Sequence, residues 1–182
     1  MKKINLAIAV LAALSFYSCN NSGSSSTMVD GSKDSSSNTV EQQNLEKNRS
    51  MYTAILKGDS ATIRSLVADD AVDHQSPNGQ EVKGGDNIAH MLTDIHNHIK
   101  GMKFNVIADA AKDDYVFAMI DMEGTAADNT MGMPAGSNMG GKNVDVVKIK
   151  DGKMVEHWGF LDWSDAMKMA SQPQMKAPDK KK

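Results

Sequence analysis

Asp151-Gly152-Lys153-Met154-Val155-Glu156-His157-Trp158-Gly159-Phe160-Leu161-Asp162 is the stretch on which the fold turns. Asp-Gly is the preferred centre of a two-residue hairpin, because both positions need a positive φ. It sits between two segments with strand character, Asn143 to Lys150 and Lys153 to Asp162. Under strict alternation, Glu156, Trp158, Phe160 and Asp162 share one face, and His157, Gly159 and Leu161 share the other. The two large aromatic side chains assign their face to the interior, with Asp162 at its end.

Working outward, Lys103 to Ala110 and Tyr115 to Gly124 form two further strands, joined by a turn at Lys112-Asp113-Asp114. Thr125 to Gly141 is a long loop rich in Gly and Met. Before these the period is helical. Glu41 to Lys57 carries good helix formers with an apolar stripe around Met51, Tyr52, Ala54 and Ile55; Gly58 ends it and Asp59 caps a short second helix, Ala61 to Val67. Asp70 to His74 is a short extended segment, followed by a turn at Ser76-Pro77-Asn78-Gly79. A third helix opens at Gly84-Gly85-Asp86 and runs to about Ile99, with Ile88, Met91, Leu92, Ile95 and Ile99 on one face. A last short helix begins at Asp162 or Ser164 and reaches about Ala170. Helices segregated from an antiparallel sheet define an α+β class. The expected architecture is a cone-shaped barrel, a curved antiparallel sheet packed on the N-terminal helices, with an apolar pocket inside.

The N-terminus reads as an address. Met1-Lys2-Lys3 precedes a 13-residue run, Ile4 to Phe16, broken only by Asn5 and Ser15. A permanent spanning helix needs roughly 20 apolar residues, so the run suits a secretory signal. Phe16-Tyr17-Ser18-Cys19 resembles a bacterial lipobox, and Cys19 is the chain's one cysteine. The expected organisation is a signal peptide over 1–18, a lipidated Cys19 with a Ser-rich flexible tether over 19–39, a folded domain over 40–170 and a disordered tail over 171–182. The expected location is the bacterial cell envelope, on the periplasmic side or at the outer membrane.

Net charge is −3, and the dense basic run is confined to Lys180-Lys181-Lys182. Such a charge distribution argues against nucleic acid as a partner. Aromatic content is low, while 14 methionines offer either plain core filling or an adaptable pocket lining.

Three segments carry a family resemblance. They are Ala68-Asp69-Asp70-Ala71-Val72-Asp73-His74, then Gly124-Thr125 with Met131-Gly132-Met133-Pro134-Ala135-Gly136, then Asp151 to Trp158 leading to Asp162. In order and spacing they resemble the SnoaL-like polyketide cyclase family of the nuclear-transport-factor-2-like superfamily, over about Glu46 to Met169. The resemblance implies a cone-shaped domain, intramolecular aldol chemistry without metal or cofactor, an aspartate acid/base and, in many relatives, pairing as a homodimer. Two features differ from an intracellular cyclase: the leader, and Asp121 and Glu123 on the second long strand.

Asp162 is the candidate acid/base. A carboxyl against an aromatic wall loses hydration and its pKa rises, which suits proton transfer; the plain alternative is that Asp162 only caps the following helix. His74, placed in the same pocket by the resemblance, orients Asp162 or holds a ligand carbonyl, or else is simply satisfied at a strand end. Tyr52, Met119, Asp121, Met133, Trp158 and Phe160 complete the expected wall, with Asp121 alternatively facing solvent. Asp86, His90, Asp94 and His98 recur every fourth residue on the third helix, which suggests metal ligands. Helical geometry instead puts His90 and Asp94 opposite the core, as a solvated face, so no metal and no cofactor is expected. Phosphate-loop, nucleophile-elbow and zincin motifs are missing from the sequence. The leading expectation is an envelope-anchored domain that binds a small organic molecule. The alternatives are a cofactor-independent cyclase, isomerase or lyase, and a non-catalytic interaction module.

Overall fold

The computed structural model describes residues 35–75, 80–129 and 133–171, all within one compact unit, Asp34–Lys182. The expected signal peptide, Cys19, most of the tether, the turn at 76–79 and the tail beyond Ser171 lie outside the described residues. Among the described residues, no helix is long and apolar enough to cross a membrane.

The first helix, α1 (Ser35–Lys57), starts six residues before the expected Glu41, within the stretch read as tether. It buries Met51, Tyr52, Ala54 and Ile55, and with them Asn44 and Asn48, at i, i+4 spacing. Gly58, at φ 64°, ends it, and the Asp59 amide reaches back to the Ala54 carbonyl at 3.0 Å. The Asp59 carboxylate accepts from the Thr62 amide at 3.0 Å and so caps α2 (Ser60–Ser65). That helix is shorter than expected because Val67 already belongs to β1 (Val67–Asp73). After β2 (Val82–Lys83) comes α3 (Gly85–His98), which buries Ile88, Ala89 and Leu92.

Gly85 opens α3 where the backbone passes close to β1. A Cβ there would lie 2.6 Å from the Ala68 carbonyl oxygen, which belongs to backbone and has little freedom to withdraw. Gly85→Ala is therefore expected to destabilise the protein by about 1–3 kcal/mol, the usual cost of overpacking, as measured by urea unfolding.

Four long strands follow: β3 (Ile99–Lys112), β4 (Tyr115–Ala126), β5 (Gly141–Lys150) and β6 (Lys153–Leu161), and then α4 (Trp163–Ala170). β3 begins earlier than expected because Ile99 and Lys100 pair with Ala126 and Thr125 at the far end of β4. Asp151 and Gly152, at φ 50° and 73°, make the tight turn between β5 and β6.

The sheet order is β2-β1-β6-β5-β4-β3. It is curved and open rather than a closed barrel, and it is mixed rather than antiparallel, because β1 runs parallel to β6. The core lies between the helices and one sheet face, around Ile63, Val67, Ile88, Val116, Ile149 and Met154.

Register shifts set which residues face that core. Ile149 opposes Met154 while Lys148 opposes Glu156, so Val155 is an extra residue, a β-bulge. Met154 is buried before the bulge; beyond it the odd-numbered His157 and Leu161 line the interior. A second shift near Ile107 turns β3 in the same manner.

Candidate active site

The bulge overturns the expected facing of the last strand. Trp158 lies on the outer face, stacked on His74 with ring centroids 4.8 Å apart. Phe160 is 57% exposed. Met119 and Asp121 also lie outside, where they pair in register with Val144 and Lys142. Tyr52 and Met133 do line the interior.

Asp162 does not reach the interior. Its carboxylate caps α4, accepting from the Ser164 amide at 2.9 Å and the Asp165 amide at 3.3 Å. The Ser164 hydroxyl, and then those amides, hold its pKa below the ordinary carboxylate value. This is opposite to the raised value expected against an aromatic wall, because the group is solvated and hydrogen-bonded in its charged form. His74 is likewise outside. Its Nδ1 lies 2.8 Å from Glu81 Oε1, and its Nε2 lies 3.6 Å from Glu156. Asp162 and His74 are therefore not brought together in the cavity, and neither lines it.

The acid/base groups that do converge come from four other positions. A cavity of about 510 Å³ lies between α1, α3 and the inward sheet face. Met51, Met91, Met122, Met139 and Met154 line much of it, giving an apolar wall with adaptable side chains. On its sheet side Asp73, Asp145, His157 and Tyr52 form a chain of contacts. His157 Nδ1 is 2.9 Å from Asp73 Oδ2. On its other side His157 Nε2 is 3.8 Å from Asp145 Oδ1. Tyr52 donates to the second Asp145 oxygen at 2.8 Å, and Asn143 donates to Asp145 as well.

Local structure explains each placement. Asp73 ends β1 opposite His157 in the parallel register. It is 1% exposed, and its remaining oxygen accepts from the Gln75 amide at 2.8 Å. Asp145 shares the inward face of β5 with Val147 and Ile149. Tyr52 arrives from α1, packed against Phe104.

Burial lowers the His157 pKa, but the Asp145 and Asp73 carboxylates on either side of the ring, Asp73 within hydrogen-bond distance, outweigh it and raise the value to about 9. His157 is thus an imidazolium at neutral pH, flanked by two carboxylates. Burial first, and then the Asp145 charge, push the Tyr52 phenol well above its ordinary value, so it remains a neutral donor. At 3.8 Å the Nε2 proton is not committed to Asp145 and is free to meet an oxygen in the cavity. Asn48 Nδ2 and Asn143 Oδ1 are buried without a hydrogen-bond partner among the described residues, and both side chains border the cavity. Donors and a carboxylate thus meet at one end of an apolar chamber, an arrangement that can take a proton from one ligand atom and give one to another.

The α3 stripe divides among separate partners: Asp86 with Arg64, His90 with Asp94 at 3.0 Å, and His98 with Asp128 at 2.8 Å. Among the described residues, no group of three His, Cys, Asp or Glu side chains is placed to hold a metal ion.

Helices followed by a curved open sheet, with a chamber between them, define a nuclear-transport-factor-2-like α+β domain. The chain belongs to the SnoaL-like polyketide cyclase family, whose model matches residues 46–170. Three solved structures illustrate the shared fold. A SnoaL-like polyketide cyclase homologue from Jannaschia sp. CCS1 is 18% identical, with a TM-score of 0.62 over 74% of this chain and 95% of that one. IdmH from Streptomyces antibioticus, a candidate polyketide cyclase, is 23% identical, with a TM-score of 0.58 over 70% and 98%. An LEH-like epoxide hydrolase from M. tuberculosis is 15% identical, with a TM-score of 0.59 over 71% and 90%. No curated protein matches the sequence.

Sequence reasoning missed Asp73, Asp145 and His157. Part of the signal was present: Asp145 alternates in phase with Val147 and Ile149, which marks the inward face of β5. Nothing comparable marks His157, whose facing depends on the bulge.

Proposed function

We propose that the domain binds a small, mostly apolar organic molecule in the methionine-lined cavity and transfers a proton on it. The observation that carries this reading is the buried Asp73–His157–Asp145–Tyr52 chain at one end of that cavity. Asp145 is the base. It removes a proton from a carbon acid or from water. His157, through Nε2, is the acid and supports the oxygen on which charge develops. Asp73 touches no ligand in this scheme; it is the positioning residue that keeps the imidazolium charged and fixes its ring. Reactions of this class include isomerisation, elimination and intramolecular aldol closure, for which two carboxylates, an imidazolium and a phenol suffice.

The reading is tested with 5-nitrobenzisoxazole, an apolar carbon acid that opens to a coloured cyanophenolate when its ring proton is removed. The protein is expected to turn it over faster than acetate at equal concentration, and Asp145→Asn to remove that advantage while the fold is kept. A wild-type rate no better than acetate, or an undiminished rate in Asp145→Asn, refutes it.

A second reading rests on the outer sheet face, where Phe117, Met119, Val144 and Phe160 are each more than a third exposed. Contiguous apolar surface of this kind suits association with a second copy of the chain. The leader sequence supports placement of the domain at a bacterial envelope through lipid on Cys19. Retention in the membrane fraction that is lost in Cys19→Ala is the expected result.

A further inference from the structure

We propose that the side-chain amide of Gln75 is the ligand-recognition group of the cavity, and that it selects an uncharged hydrogen-bonding group over a carboxylate. This rests on the cavity as the ligand site and adds a residue and a ligand class to it. A gap in the final strand carries the inference. Gly159 has no side chain, and a Cβ there would overlap Oε1 and Cδ of Gln75. The Gln75 amide therefore occupies the place that a side chain at position 159 would take.

That place faces the chemistry. Gly159 lies between His157 and Leu161, which both line the cavity, so strand alternation turns its missing side chain inward. In register Gly159 stands directly opposite Asp145. Side chains so opposed start about 5 Å apart, which sets the Gln75 amide beside the proposed base. The backbone fixes it there. The Gln75 N–H donates to Asp73 at 2.8 Å, and the same carboxylate holds His157 at 2.9 Å. Gln75 lines the cavity and is exposed, so an entering ligand meets its side chain. A side-chain amide offers donors and an acceptor without charge. Beside it, the Asp73 and Asp145 carboxylates against the one imidazolium of His157 leave a net negative charge, which disfavours a carboxylate. An apolar molecule bearing a carboxamide or a hydroxyl meets both conditions.

The experiment titrates the full chain with 2-naphthamide, 2-naphthoate and 2-methylnaphthalene, which share one apolar body, and reads binding from the NMR shifts of cavity residues. Wild type is expected to bind the amide about fivefold more tightly than either of the others, the scale of one hydrogen bond. Gln75→Met keeps the bulk without the hydrogen bonds. It should remove the preference over 2-methylnaphthalene and leave the hydrocarbon bound as before. Gly159→Ala should remove the same preference by displacing the amide. Thermal unfolding should not change, because the displaced group is the far end of a flexible, exposed side chain. The two substitutions together should lose no more than Gln75→Met alone. A preference that survives Gln75→Met overturns the proposal, as do losses that add in the double variant. Wild-type binding of the amide no tighter than of the hydrocarbon or the naphthoate overturns it too, and leaves the cavity reading standing. Binding of none of the three overturns both. Proton transfer enters none of these outcomes, so an inert Asp145 fails the proposed reaction without touching this one.

Discussion

Replacing Asp73 with alanine is expected to cost about 3–5 kcal/mol of folding stability, the range for removing one partner of a buried ion pair. Asp73 is 1% exposed and holds both the His157 ring and the Gln75 amide. Without it the imidazolium keeps one neighbouring carboxylate, at 3.8 Å, and either stays charged with less compensation or loses its proton. The Gln75 amide loses its acceptor at the same time. Asp73→Asn keeps the shape and one acceptor oxygen, so it should fall between wild type and alanine. Urea unfolding measures the series. An alanine variant within 1 kcal/mol of wild type, a bound about a third of the expected loss, contradicts the geometry.

Stability is expected to fall by about 3 kcal/mol as pH rises from about 6.5 to about 9, through His157 alone. The folded pKa, about 9, lies above the unfolded value of 6.5. The folded state therefore binds the proton more tightly than the unfolded chain does. That advantage is complete below the unfolded pKa and is lost as pH rises through the folded one. His157→Gln should flatten unfolding free energy across this window, while Asp162→Asn should leave its slope unchanged, because Asp162 titrates in the acid range and lies outside the network. A wild-type profile that is level or rising between these limits removes the charged imidazolium from the site.

The chamber and its chemistry differ in how far they can be read from residues in order. Hairpin turns, the Asp59 cap, the apolar faces of α1 and α3 and the α+β class follow from local rules, because glycine torsions and helical periodicity act over a few residues. The Asp162 cap is local too, and the sequence left it as one of two alternatives. The pairing of β1 with β6 is not local, since it joins segments more than eighty residues apart, His157 with Asp73 among them.

The amino-acid sequence by itself determined the helices, the four long strands and their order, the leader signature and the family resemblance, but not the short strand Val82–Lys83. The tertiary structure alone decided which side of the final strand faces inward. Alternation counted from the aromatic residues puts Trp158 and Phe160 inside, but one extra residue at Val155 reverses the phase and brings in His157. A bulge is a property of two paired strands, because the surplus residue exists only relative to a partner. That partnership, and not the composition of the strand, moved the candidate chemistry from Asp162 and His74 to Asp145 and His157.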